Sequence, residues 1–171
     1  MDLYLNNKTA LITGASKGIG KAIAESLAQE GCNLALTARS GDMLEDVKTT
    51  LQKKHNISVE IFPIDLSLKN SAEQISEFAG DVDILINNAG SRPGRDRVPV
   101  VHLEENAWDS VYSVNVKGVF LCSRAAARRM IDQNEGGKIV NISSSRGKQG
   151  VALYAAYASS KFAVIGFTQS L

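Results

Sequence analysis

The stretch Lys8–Gly20, "KTALITGASKGIG", decides how this chain is built. A short apolar run, "KTALIT", enters a turn containing Gly14, Gly18 and Gly20. It leaves as a helical pattern from about Ile19 to Glu30, with Gly31 placed to end the helix. Working outward, "NLALTA" reads as a second strand, and after Ser40 the residues Met43, Leu44, Val47 and Leu51 recur at helical spacing. "ISVEIFPI" and "VDILIN" are two more strands, separated by a helix from near Ser67 to Gly80. After the loop "GSRPGRDRVPV", a long helical region from about Leu103 to Gln133 precedes the strand "GKIVNIS", a loop of small residues and a last helix. Such alternation of buried strands and helices predicts a doubly wound parallel sheet between helix layers, a three-layer α/β/α fold. No repeat, low-complexity tract or linker divides residues 1–171, so one domain is expected.

A chain of 171 residues can bury roughly two thirds of its unfolded surface in one core. Its charges nearly cancel, at +1, and no long block of one sign appears, which argues against nucleic acid or membrane and toward a small-molecule ligand. Cys32 and Cys122 lie far apart in apolar surroundings and read as core residues of a reducing compartment, the cytoplasm. The amino terminus has no basic segment followed by a long apolar run, and no stretch reaches membrane-spanning length.

Between the first strand and the first helix, a turn without side chains lets backbone N–H groups approach a pyrophosphate, and the helix aims its positive end at the same oxygens. The spacing here is Gly-x-x-x-Gly-x-Gly, which meets the generic dinucleotide fingerprint only approximately and also fits a tight turn with no ligand. Where an acidic residue would bind the ribose hydroxyl of NAD, the chain has "TARS". Arg39, with Lys17 inside the turn, puts positive charge where the extra phosphate of NADP would lie, so NADP is favoured and NAD remains open. Ser40 is equally a ligand contact or a helix N-cap. "IDLS" sets Asp65 at the tip of the third strand, within reach of an adenine amino group, and "NNAG" ends the fourth. Asn87 either meets the cofactor or, the favoured reading, satisfies backbone groups between strands; Gly90 keeps the backbone slim beside the ligand. Ser16, Ile19, Leu66 and Ala89 complete the expected contact set.

The last helix contains "ALYAAYASSKFAVIGF", in which Tyr157, unlike Tyr154, has a lysine four residues later on the same helical face, Lys161. Alone, the pair is as ordinary as a surface contact. Taken together, "TGASKGIG", "NNAG", "SVNVKG", "NISSS" and "YASSK" stand in an order and spacing that resemble the short-chain dehydrogenase/reductase family over the whole chain. That resemblance, which extends to 3-oxoacyl-carrier-protein reductases and related carbonyl reductases, implies a Rossmann-like NAD(P)-binding domain and a catalytic set of Asn115, Ser144, Tyr157 and Lys161. It implies that Tyr157 is the general acid/base and that Ser144, thirteen residues earlier, holds the substrate oxygen beside it. It also implies that Lys161 grips the nicotinamide ribose and that Asn115, at a kink, helps hold a water linking Lys161 to solvent. A free tyrosine titrates near pH 10, and a nearby ammonium favours its phenolate. Without the resemblance Asn115 reads as a tolerated exposed residue, and Tyr154 reads as packing or a pocket wall.

The expected activity is hydride transfer between NADP and a carbonyl or secondary alcohol. The alternatives are a non-catalytic or truncated nucleotide-binding module and an NAD-dependent sugar or polyol dehydrogenase. Prevalence in the family points to a 3-oxoacyl thioester. Relatives commonly pair through the long helix, here carrying "SRAAARRM" with Arg124 and Arg128 on one face, so a homo-dimer or homo-tetramer is expected. They also continue beyond Leu171 with further strands and a substrate loop, so the fifth strand is expected to lack its usual neighbour. Arg92, Arg95 and Arg97 could greet an acidic or phosphorylated substrate, although a solvated loop is favoured. His55 and His102 lack metal-ligand spacing, so no metal is expected.

Overall fold

The structure, a computed structural model, describes residues 3–91 and 94–171. Five parallel strands, β1 (Thr9–Thr13), β2 (Asn33–Ala38), β3 (Val59–Pro63), β4 (Ile84–Asn87) and β5 (Lys138–Asn141), form one sheet in the order β3-β2-β1-β4-β5. The chain winds outward from β1 through α1 (Gly18–Gln29) and α2 (Gly41–Lys54) to β3. It then returns through α3 (Ser71–Ala79) to β4 on the other side of β1. This reversal opens a crevice above the carboxyl ends of β1 and β4, where ligands of such sheets collect.

Alternating strand residues feed two cores. Ala10, Ile12, Leu34, Leu36, Ile84 and Ile86 pack with Ala24, Ala28, Leu44, Val47 and Leu51 of α1 and α2. The residues between them, Leu11, Ala35 and Leu85, face Ile75 of α3 and Cys122, Ala126 and Met130 of α5 (Val119–Gln133). Burying each large aliphatic side chain contributes roughly 1.5–3 kcal/mol. Both cysteines are buried thiols. Burial pushes Cys122 up to about 12, so it is inert at neutral pH.

Several element ends depart from the sequence pattern. Gly31 ends α1 as anticipated, with φ +79° and the Cys32 amide donating back to the Leu27 carbonyl. The third helix starts at Ser71, not near Ser67. Asp65 accepts hydrogen bonds from the Ser67 amide and hydroxyl, forming a turn first, and Asn70 adopts a left-handed conformation before the helix begins. The region from Leu103 to Gln133 is two helices, α4 (Glu105–Tyr112) and α5, joined by a π-helical turn over Ser113–Gly118. α6 (Ala155–Ser170) packs on α4 and this turn. β5 pairs only with β4 among the described residues, and Val140 is half exposed on it.

The entrances of β1 and β4 are tied by Asp83, whose carboxylate accepts from Lys8 Nζ at 2.6 Å and from the Thr9 amide at 2.8 Å. Burial pushes its pKa up, but the hydrogen bonds from Lys8 and Thr9 outweigh this and hold it below the ordinary 3.8. A lowered carboxylate pKa contributes stability that is present above pH 3.8 and lost as pH falls through the folded-state value. Asp83→Asn is therefore expected to lower Tm at pH 7 by about 3 °C. The gap from the parent should close in melts recorded progressively below pH 3.8; a constant gap would contradict the assignment.

Candidate active site

At the turn after β1, Gly14 and Gly18 have φ of +68° and +57°, conformations that glycine adopts without strain. Packing adds a second constraint. A Cβ on Gly14 would lie 2.9 Å from Ala89 Cα, and one on Gly20 would strike the Gly14 carbonyl and Asn88 Nδ2. A Cβ on Gly18 would meet open space. Thr13 Oγ1 accepts from the Asn88 and Ala89 amides, while Asn88 Nδ2 donates to the Thr13 and Gly14 carbonyls. The turn is thus locked onto the end of β4, and no side chain caps the first amides of α1. These amides and the helix dipole favour an anion there.

A cleft of about 600 Å³ opens over this turn. Of the expected cofactor-binding residues, Gly14, Ser16, Lys17, Gly18, Arg39, Ser40, Asp65, Leu66, Ala89 and Gly90 line it; Ile19, Gly20, Asn87, Tyr157 and Lys161 do not. Ile19 is exposed, and Gly20 is buried in the turn. Asn87 is buried beneath, its amide donating to Ser123 Oγ at 2.9 Å and Asn141 Oδ1 at 2.8 Å, so it joins β4 to β5 and α5 through side chains, not backbone groups. Ser40 occupies the N-cap position of α2, yet its hydroxyl makes no capping bond. Arg39 is exposed, with Nη1 3.9 Å from Asp65 Oδ2. Thr37, absent from the sequence reading, lines the cleft with a buried hydroxyl that has no partner among the described residues.

Gly90 lies between this cleft and the side chains of Asn115 and Lys161. A Cβ there would lie 3.5 Å from Asn115 Oδ1 and 3.9 Å from Lys161 Nζ. Asn115, far from exposed, is fully buried in the π-turn: its Oδ1 accepts from the Ser91 amide at 2.7 Å and its Nδ2 donates to Ser160 Oγ at 3.0 Å. Ser160 Oγ in turn donates to the Tyr157 carbonyl at 2.7 Å. Asn115 thereby fastens the β4 loop to the helix bearing Tyr157.

Tyr157 and Lys161 lie one turn apart on α6, with Nζ 5.9 Å from the centre of the phenol ring. Lys161 is 5% exposed, and burial holds its pKa below the ordinary 10.5. Its ammonium donates to the Ile142 carbonyl at 2.9 Å. Ser143 Oγ donates to the Lys161 carbonyl, and Gly147 leaves no room for a Cβ against Ser143 Oγ and that carbonyl, so the loop after β5 is packed directly on Lys161. Ser144 Oγ accepts from the Arg146 amide at 3.2 Å; Ser144 has no hydrogen bond to Tyr157 among the described residues.

Tyr154 packs on Tyr157, meeting it edge-on with ring centres 6.4 Å apart. Arg97, expected in a solvated loop, instead lies with its guanidinium carbon 3.6 Å from the Tyr154 ring centre. Arg95 is exposed, and Arg92 lies outside the described residues. His102 is exposed and His55 half-buried, and the described residues contain no cluster of metal-ligating side chains. Arg124 pairs with Glu73 at 3.0 Å, whereas Arg128 faces solvent. No helix among the described residues is long and apolar enough to cross a membrane.

Residues 8–171 match the sequence profile of the short chain dehydrogenase family. A 3-oxoacyl-acyl-carrier-protein reductase from Aquifex aeolicus is 35% identical over 175 residues, covering 100% of this chain and 69% of that protein. An alcohol dehydrogenase from the archaeon Thermococcus sibiricus, solved with 5-hydroxy-NADP, superposes with TM-score 0.89 at 31% identity, over 96% of this chain and 70% of that one. A short chain dehydrogenase/reductase from Burkholderia phymatum, solved with NAD, gives TM-score 0.90 at 32% identity, over 97% of this chain and 59% of that one. The chain therefore spans about two thirds of the length of these proteins. With the parallel sheet, the locked glycine turn and the Tyr157–Lys161 pair on one helix, the match places this chain in the short chain dehydrogenase family.

Proposed function

We propose that this chain forms the cofactor-binding and proton-transfer part of an NADP-dependent oxidoreductase acting on a carbonyl or secondary alcohol. The observation that carries this reading is an adjacency: the cleft runs from the uncapped α1 amides at Gly18 to Gly90, where a Cβ would lie 3.9 Å from the buried ammonium of Lys161. The glycine turn, the partnerless Thr37 hydroxyl and the bare Gly90 suit a dinucleotide. When bound, the nicotinamide supplies or accepts the hydride.

In the reducing direction Tyr157 gives its phenolic proton to the substrate oxygen as the carbonyl carbon gains the hydride, and in oxidation the phenolate takes that proton back. Ser144 orients the same oxygen. Its Oγ is fixed by the Arg146 amide, which leaves the hydroxyl hydrogen free to donate. The Lys161 ammonium has three hydrogens, of which one goes to the Ile142 carbonyl, leaving two for the ribose and the phenolate side. Its charge favours the phenolate formed on proton transfer. Arg39, exposed beside Ser40, grips the 2′-phosphate. Exposed Phe120 and Ile131 on α5 support subunit pairing through that helix, and two buried free thiols support a cytoplasmic setting.

Steady-state assays of carbonyl reduction with NADPH and NADH test this reading. The protein should favour NADPH, and Arg39→Asp should lower kcat/KM for NADPH by roughly 10- to 100-fold, the worth of a lost charged hydrogen bond, while sparing NADH. A preference for NADH in the parent would reject the Arg39 assignment and favour the NAD-dependent sugar or polyol reading. Nucleotide binding without turnover on a broad carbonyl panel would leave a binding module.

A further inference from the structure

The oxidoreductase reading leaves unexplained an arginine at its reacting end. The Arg97 guanidinium carbon is 3.6 Å from the Tyr154 ring centre and 5.3 Å from that of Tyr157. The stack on Tyr154 engages a flat face of the guanidinium, not its hydrogen-bonding edge. Nε is buried without a hydrogen-bond partner among the described residues. The nearest acid, Asp96, has Oδ2 3.6 Å from Nε, beyond hydrogen-bonding range, while its Oδ1 accepts from the Gly94 amide at 2.9 Å. An arginine that only pinned its loop would spend the Nε donor on a carbonyl or on Asp96, because buried polar groups are normally paired.

The surrounding charge is mostly positive. Arg146 has its guanidinium carbon 5.7 Å from the Tyr154 ring centre, and Lys161 Nζ is 5.9 Å from that of Tyr157. Arg97 itself is only 22% exposed, so an anion meeting it would be held where water screens little. A guanidinium edge matches a carboxylate in bidentate fashion.

Resting on the oxidoreductase reading, we propose that Arg97 anchors the carboxylate of the substrate, so that this site takes short oxo acids and their hydroxy-acid counterparts. The carboxylate stays intact. The carbonyl carbon gains the hydride, its oxygen gains the Tyr157 proton, and solvent restores the phenol.

Two matched pairs, pyruvate with methyl pyruvate and acetoacetate with methyl acetoacetate, test the proposal in the full protein with NADPH. The protein should prefer the acid of at least one pair. Arg97→Gln, whose flat amide can still stack on Tyr154, should lower the acid-to-ester ratio of kcat/KM by roughly 10- to 100-fold. An unchanged ratio, or an equal loss on acid and ester, overturns the proposal and makes Arg97 a structural pin. Calorimetric binding of malonate in the presence of dinucleotide provides a readout free of turnover. Weaker malonate binding by Arg97→Gln supports the carboxylate site even if no carbonyl is reduced, an outcome that would defeat only the catalytic reading. Equal binding by parent and variant, or no binding by the parent, overturns the site.

Discussion

Tyr157→Phe is expected to lower kcat/KM for carbonyl reduction by roughly 10²- to 10⁴-fold, the usual worth of a positioned general acid. The substitution removes one oxygen and keeps the ring, so the contacts with Tyr154 and Arg97 and the Ser160 bond to the residue 157 carbonyl persist. Dinucleotide affinity, read by quenching or transfer of protein fluorescence, should change little. Retained affinity with lost turnover isolates proton transfer from binding; undiminished turnover would mean that another group supplies the proton.

Lys161→Met should be nearly as damaging, for a different reason. Methionine fills the channel that the lysine stem occupies but provides neither the charge nor the donors. A loss of roughly 10²-fold or more in kcat/KM is expected, together with weaker dinucleotide binding. The parent carries a pH signature of its own. Burial disfavours the ammonium and holds its pKa below 10.5, so the folded protein releases this proton before the unfolded chain does. Between the lowered value and 10.5 the unfolded chain binds more protons, and this group's contribution to stability rises with pH. Dinucleotide affinity should fall over the same window as the charge disappears. Lys161→Met should show no such fall in affinity; an identical alkaline limb in both proteins would remove Lys161 from the site.

The sheet and its reversal were legible because strand runs and helical spacings alternate without exception, and because three glycines sit where the first strand meets the first helix. What escaped the sequence reading depended on direction and distance. Asn87 and Asn88 are adjacent, and parity separates them. Ile84 and Ile86 face α1 and α2 while Leu85 faces α5, so Asn87 must share the face of Leu85, and Asn88 is left to lock the glycine turn. That signal was present in the alternation itself. Asn115 gave no local signal of burial, since its partners Ser91 and Ser160 are brought to it only by the loop and by α6. Arg97 was misjudged as solvated for the same reason: the ring it stacks on is 57 residues away, beyond any periodicity.

At the centre of the account is one binding pose, and a crystal structure of the protein with NADP bound measures it. The expected pose has a pyrophosphate on the first amides of α1 around Gly18, a 2′-phosphate at Arg39, and a nicotinamide ribose over Gly90 within hydrogen-bonding distance of Lys161 Nζ, with the ring facing Tyr157. A nicotinamide bound outside the Gly90 end of the cleft, or phosphates seated away from that turn, would contradict it.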